Sequence, residues 1–477
     1  MTKKTLPPVL CIGIDIGKMK HVAAFVSLDL LRAARRFERC PTLAFEQSRE
    51  GIESLLQKID SYGDRAQCAV LIEHTGHYHR IVEEHLRDAG LQVYIMPVLS
   101  RKRSQEKTDR IDALRLANQL YNQLVLGVQP EEKRAQIKHR FPPTKLAAQL
   151  RGLVQRHHEL VHARTTLKNR LTAICDEIFP ELTLIFKDPN LMTALSLRAT
   201  FETPAAVAAA SLEQLRSIRQ QKGKPTDAHL RCLQELAAAS IGVKDSPRRK
   251  TLLLEQKQLI EELATSGKHL EIIDKEISEL MEPSREYKIL ASMSIGPIQA
   301  ATIVAAIGNI RNFEKASHLR TFCGWSPQAI QTGISRDTSK LSDTGQRQLR
   351  QTLFLITINA VHQSESFELI YTRLVKRMCH WDARTETYKG KMRAIGHISG
   401  QICGLIYRFL RQDADLVDAS PAEQIPPPVL FSPDIHLSHV LHGKPHEKPT
   451  NDVSQDLPPD ETETEILDEE RETVVLV

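Results

Sequence analysis

The chain has 477 residues, 41% of them hydrophobic and 26% charged, with a formal net charge of +5 and eight cysteines. That length suits two to four domains with real cores. No apolar run approaches the roughly 18 residues needed to span a bilayer and the start lacks an apolar signal core, so a soluble cytoplasmic protein is expected rather than a membrane one. The cysteines stand singly without any C-x-x-C, which argues against a zinc module or a disulfide framework. Charge is divided unevenly. From Pro421 onward there are 3 Lys/Arg against 13 Asp/Glu, leaving residues 1–420 with 61 against 46, a net of +15. A basic body with an acidic tail points to a polyanionic partner, and nucleic acid is the commonest.

In chain order, residues 9–17 read as a buried strand and 20–27 as its hairpin partner after a Gly17-Lys18 turn. Asp15 therefore lies inside an apolar strand, where a carboxylate needs a metal or a base beside it. A third extended segment is predicted around 34–39 and a helix over 50–59. The apolar strand 68–72 ends directly on Glu73, followed by Thr75-Gly76, a helix to about residue 89, a strand over 91–96, and a helix bearing Asp109 and Asp112. Those two acids are three apart and share a helix face. Alone they would read as a solvated helix start. With Asp15 and Glu73 upstream at strand positions, the order of three strands, helix, strand, helix, strand, helix is that of an RNase H-like nuclease domain, in which the four carboxylates form one pocket. Such a pocket suits two hard divalent cations, Mg²⁺ or Mn²⁺, that polarise a phosphodiester. His74, His77 and His79 are read as surface helix residues, with phosphate contact as the alternative.

Residues 133–170 hold ten Lys/Arg against one acid, Glu159. A helix over 144–178 carries most of them, and its unmixed sign favours phosphate contact through Arg151, Arg156, Arg164, Lys168 and Arg170. Residues 185–245 read only as short helices. From Leu252, the positions Leu252, Gln256, Leu259, Leu263, Ser266, Leu270, Ile273, Ile277 and Leu280 alternate spacings of four and three, a coiled-coil seam for the 144–178 helix or for another subunit. Gly267 is expected to weaken it.

A further unit is predicted over 287–413. Residues 293–298 lead into a helix over 299–307 that ends on Gly308, similar to a helix-hairpin-helix element. Next come a loop rich in hydroxyls and amides over 322–336, with Thr332 and Ser335, and a long helix opening near 345. Arg336, Lys340, Arg347 and Arg350 are candidates to stabilise phosphate charge beside a hydroxyl nucleophile. The bland reading is a polar connecting loop. Beyond Gln412, Pro426-Pro427-Pro428 and the acids of 460–472 read as a disordered tail.

Gly13-Ile14-Asp15, Glu73-x-Thr75-Gly76-x-Tyr78, Lys107-Thr108-Asp109-Arg110-Ile111-Asp112-Ala113, Gly296-Pro297, Gly324-x-x-Pro327 and Gly345-x-x-x-Leu349-Arg350 together resemble the insertion sequence 110 family of transposases, over about 9–125 and 287–410. The resemblance implies an α/β RNase H-like (RuvC-like) DEDD domain over 1–125, an α-helical coiled-coil linker over 126–286, a mostly α transposase domain with a nucleophilic serine over 287–413, and the acidic tail over 414–477. It implies a DNA recombinase acting on donor and target DNA, guided by a structured bridge RNA. It also implies a homo-oligomer, dimer or tetramer, with composite active sites, associated with the nucleoid of a bacterial cell. Asp15, Glu73, Asp109 and Asp112 carry over directly as metal-binding catalytic acids. The nucleophile does not: the family's Ser-Gly is Thr332-Gly333 here, and the extra methyl stiffens and crowds the hydroxyl. Thr332 ranks first and Ser335 is the alternative. A junction nuclease using the four acids alone is the other reading.

Overall fold

The computed structural model describes residues 8–74, 76–96, 108–130, 136–137, 141–218, 225–244, 247–332, 336–341 and 345–437. The chain divides into two compact units, Met1–Phe141 and Pro142–Val477. No described helix is long and apolar enough to cross a membrane.

The first unit is built on a five-stranded sheet of order β3-β2-β1-β4-β5, formed by β1 (Leu10–Ile16), β2 (Lys20–Val26), β3 (Thr42–Glu46), β4 (Cys68–Glu73) and β5 (Gln92–Met96). β2 runs antiparallel to both β1 and β3, whereas β4 lies parallel to both β1 and β5. Helix α1 (Leu28–Ala34) follows β2, α2 (Arg49–Asp60) follows β3, α3 (His79–Asp88) follows β4, and α4 (Asp109–Leu124) closes the unit. The third strand falls at 42–46 rather than 34–39. Ser27 caps α1 there by accepting from Leu30 N, and the charged stretch after α1 forms a 3-10 turn, leaving the apolar Leu43 and Phe45 to pair with β2.

Period-two alternation divides the sheet into two apolar layers. Leu10, Ile12, Ile14 and Ile16 of β1, with Val70 and Ile72 of β4, pack with Leu55 and Ile59 of α2 and Val82 and Leu86 of α3. On the other face, Cys11, Ala69 and Leu71 pack with Ala113, Leu114, Ala117 and Leu120 of α4. α4 sits hard on β1: a Cβ on Gly13 would lie 2.2 Å from both Ala113 O and Ala117 N. Only glycine allows that approach.

The second unit is mostly helical. α5 (Lys145–Ile178) and α11 (Pro247–Met281) run antiparallel, tied by Arg170 to Glu255, Arg164 to Leu263 O and His157 to Asp274. Every seam position from Leu252 to Leu280 is buried or half-buried. Its polar member Gln256 is there for a partner: Arg198 Nε donates to Gln256 Oε1 at 2.9 Å, and the same guanidinium donates to Leu171 O at 2.7 Å. Helix α11 runs unbroken through Gly267. Arg164 lies over it, and a Cβ there would meet Nη1 at 2.9 Å.

Between the two long helices, α6 (Leu182–Ile185), α7 (Met192–Thr200), α8 (Pro204–Ala209), α9 (Leu212–Ser217) and α10 (Asp227–Ala238) close a small core of their own. The remaining elements are α12 (Arg285–Ala291), α13 (Pro297–Ile307), α14 (Ala316–Phe322), the hairpin β6 (Pro327–Thr332) and β7 (Arg336–Leu341), α15 (Arg347–Gln363), α16 (Glu365–Met378), the hairpin β8 (His380–Asp382) and β9 (Thr387–Lys389), α17 (Met392–Ala419) and α18 (Pro433–His436). α13 begins two residues earlier than predicted because Pro297 takes its first position, where a missing N–H costs nothing. Structure also persists past residue 413, correcting the predicted start of the tail. Asp413 on α17 accepts from Arg285, and Phe431 and Leu437 are buried in the main helical core. Residues 438–477, including the acids of 460–472, lie outside the described residues.

All eight cysteines are free. Burial pushes the thiols of Cys11, Cys68 and Cys175 up to about 12, 11 and 11, as expected for inert core residues.

Candidate active site

Asp15 is the sixth residue of β1 and Glu73 the last of β4. Ile14 pairs with Ile72 in the parallel register, so the next residues on each strand, Asp15 and Glu73, are neighbours. Both carry the alternation of the face that α4 covers, two residues beyond Gly13 and Leu71 respectively. Glu73 is 7% exposed and Asp15 half-buried. Strand identity and parity alone thus bring these two acids together.

The helical acids enter from α4. Thr108 caps it, its hydroxyl accepting from Ile111 N, which starts the helix on Asp109 and sets Asp112 in the first turn. Asp112 is 4% exposed, next to the Ala113 that abuts Gly13, and Arg115 Nη1 lies 3.4 Å from its Oδ1. Asp109 is exposed. Arg110 donates to Glu38 O on one side of the sheet, and Gln119 lies 3.2 Å from Met96 Sδ on the other, so α4 crosses obliquely from the β2–β3 connection towards β5. Among the described residues no group of three or more His, Cys, Asp or Glu is gathered to hold a metal ion. The donor set itself is all carboxylate oxygen, which fits a hard divalent cation and no soft one.

Sequence reasoning undervalued the histidines after β4. His79 is buried, not on the surface, and its ring lies 4.5 Å from that of the exposed His74, tilted by 49°, immediately beside Glu73. His77 is exposed and its ring lies tilted against Tyr78 at 4.2 Å. The signal in the sequence was position: three histidines within six residues of a strand-terminal acid.

In the second unit, Thr332 ends β6 and pairs with Arg336, the pair of the β6–β7 hairpin nearest its connection. Lys340 lies on β7, opposite Gln328. Ser335 lies outside the described residues, as do the side chains of Thr332, Arg336 and Lys340. The base of the hairpin is well defined. Gln346 N donates to Phe322 O at 3.1 Å, and a Cβ on Gly345 (φ +134°) would come within 2.6 Å of Gly324 Cα. Trp325, 3% exposed, donates from Nε1 to Arg350 O, while the Arg350 guanidinium lies 5.7 Å above its ring. Arg350 is thus partly an anchor of the hairpin, whereas Arg347 is exposed.

The five cations predicted on α5 divide. Arg151 and Arg156 are exposed, Arg156 within 3.4 Å of Glu159. Arg170 is doubly hydrogen-bonded to Glu255 at 2.6 and 2.7 Å, and the half-buried Arg164 is bonded to Leu263 O. These two hold α11, so the unmixed charge of α5 is partly a helix-pairing device. Lys168 is half-buried.

A five-stranded mixed sheet with paired strand acids beneath an acid-bearing helix, followed by a helical unit, is the frame of a DNA-processing enzyme of the transposase and recombinase kind, and the comparisons agree. Residues 12–180 match the DEDD transposase domain of the IS110 type, and residues 287–372 match the transposase domain of the IS116/IS110/IS902 family. Two separate segments of the chain thus match transposase domains of this type. It is 23% identical over 334 residues to the insertion element IS116 uncharacterized 44.8 kDa protein of Streptomyces clavuligerus, covering 68% of this chain and 77% of that one. It is 23% identical over 351 residues to the insertion element IS110 uncharacterized 43.6 kDa protein of Streptomyces coelicolor, covering 70% and 80%. A pilin gene-inverting protein of Moraxella bovis is 29% identical over 147 residues, 30% of this chain and 43% of its own.

Proposed function

We propose that the protein is the transposase of a mobile element and cuts and rejoins DNA with two chemical parts, the carboxylates of the first unit and a hydroxyl at the end of the β6–β7 hairpin. The observation that carries this reading is the pairing of Asp15 with Glu73 on the face covered by α4, where Asp112 is buried. Carboxylates set side by side this way repel unless a cation lies between them. Asp15, Glu73, Asp109 and Asp112 would hold Mg²⁺ or Mn²⁺, which when bound supplies charge stabilisation at a scissile phosphate. The hydroxyl of Thr332, or of Ser335, attacks phosphorus; its proton leaves to solvent or a base, the departing 3′ oxygen is released, and a protein–DNA ester results. Arg336, Lys340 and Arg347 would offset phosphate charge around it, with Arg151, Arg156 and Lys168 gripping nucleic acid along α5.

The same reading assigns a RuvC-like domain to 1–125, a coiled-coil linker to 126–286 and the transposase domain to 287–413. It takes a structured guide RNA as partner and a homo-oligomer as the working form, in which the acids of one subunit serve the hydroxyl of another. The inverting enzyme among the relatives supports recombination over simple hydrolysis.

The test is to purify the protein from cells carrying its flanking DNA, sequence the RNA that accompanies it, and incubate the complex with junction DNA and Mg²⁺. The expected outcome is a discrete RNA and a denaturant-resistant protein–DNA adduct that Asp15→Asn reduces by about 10³-fold and Thr332→Ala abolishes. Adduct surviving Thr332→Ala but lost in Ser335→Ala moves the nucleophile. Cleavage without any adduct, still lost in Asp15→Asn, replaces this reading with a metal-dependent junction nuclease.

A further inference from the structure

The β8–β9 hairpin lies beyond both matched spans, and nothing in the proposed chemistry uses it. It projects between α16 and α17 as two strands of three residues, joined through Ala383–Glu386. A ribbon this short is marginal by itself, yet it is fastened at three points. Lys389 Nζ lies 2.8 Å from Asp382 Oδ2 across the strands, Cys379 Sγ approaches Gly390 O at 3.3 Å, and Tyr388 seats on the main helical core.

Trp381 is the cross-strand partner of Tyr388, with ring centroids 4.9 Å apart at 66°. Tyr388 is half-buried, but Trp381 is 48% exposed. The T-shaped contact packs the indole against Tyr388 and leaves about half of Trp381 exposed. Burying a tryptophan is among the most favourable uses of its area, so this exposed one is positioned without being covered.

Around it the charge is one-sided. Residues 376–393 contain Lys376, Arg377, Arg384, Lys389, Lys391 and Arg393 against Asp382 and Glu386, and Asp382 is already neutralised: Lys389, the Arg384 N–H and Thr385 hold its carboxyl down at about 2. All six cations are exposed. A preformed aromatic platform flanked by cations on a projecting arm has the two features that single-strand binding needs, a surface for a base and charge for the phosphates on either side. The enzyme processes DNA, and strand exchange exposes unpaired nucleotides.

We infer that the β8–β9 hairpin is a DNA-contact arm on which Trp381 stacks an unpaired base while Arg384, Lys391 and Arg393 meet the neighbouring phosphates. This site is independent of the acids and of the nucleophilic hydroxyl, and its test does not read cleavage. The chain has two tryptophans, Trp325 buried and Trp381 exposed, so intrinsic emission reports the arm directly. Full-length protein is titrated with oligo(dT), with a duplex of the same length and with oligo(U). Oligo(dT) is expected to quench emission saturably. Trp381→Leu should remove the quench and weaken binding by about tenfold, whereas Trp381→Phe should lose the quench and keep most of the affinity. Lys391→Ala should lower the dependence of affinity on salt by about one phosphate contact. The unchanged emission of Trp325 and the thermal unfolding of Trp381→Leu verify its fold. An unchanged oligo(dT) affinity in Trp381→Leu, equal quenching by the duplex, or tighter binding of oligo(U) overturns the proposal.

Discussion

The acid layer of the first unit and the β6–β7 hairpin of the second use glycine for opposite ends. Gly13 lets an entire helix settle onto β1, so the surroundings of Asp15 are set by a sheet, a helix and two apolar layers at once. Gly345 packs on Gly324 only to fasten the base of a hairpin whose far end, at the Thr332–Arg336 pair, rests on no such layer among the described residues. Acids that must converge on phosphate charge gain from a scaffold that cannot give. Glycine at both positions answers to sterics, but in one the helix would move and in the other the arm.

Four measurements sharpen that contrast. The largest effect belongs to Gly13→Ala. Its Cβ would lie 2.2 Å from two backbone atoms of α4, so the helix must lift, costing about 3 kcal/mol or more in urea unfolding of the first unit. Unchanged stability would show that α4 does not bear on β1. Gly345→Ala combines φ +134° with a 2.6 Å approach to Gly324 Cα and should cost about 2 kcal/mol. Here protease sensitivity should rise in 322–346 while the first unit keeps its denaturation midpoint.

Arg350→Met keeps the stem over Trp325 but removes the charge, for a loss of about 1 kcal/mol. A salt-independent loss would assign the contact to packing instead of cation–π attraction. The smallest effect is one of pH. His21 on β2 is buried against Phe45, and desolvation lowers its pKa below 6.5. A histidine lowered in the folded state binds its proton more readily when unfolded. Stability of the first unit is therefore full above 6.5 and declines as pH falls below it, by at most about 1.4 kcal/mol per pH unit. His21→Phe should flatten that slope, and a slope of the opposite sign would mean that His21 is charged in the fold.

Much of this molecule was legible before any coordinates. Strand alternation gave the strands that carry the acids to within a residue or two, and the helix predicted over 144–178 spans Lys145–Ile178. The third strand was misplaced because 34–39, with its run of arginines, has no alternation of its own, whereas Leu43 and Phe45 of 42–46 alternate and pair with β2. Gly267 read as a defect because a seam pattern cannot display a guanidinium arriving from the other helix. The order past residue 413 was missed for a related reason: Phe431 and Leu437 are two apolar residues in a proline-rich stretch, and their burial depends on a core made by distant helices.

By itself the sequence determined the strands that carry Asp15 and Glu73, the long helices and the basic body, because periodicity and charge act over a few residues. Only the tertiary structure decided where the third strand falls, that Arg164 and Arg170 hold α11, that Arg350 serves Trp325, and that Trp381 faces solvent. Those outcomes turn on register, helix tilt and which surface reaches a core first, and each depends on residues far away in the chain.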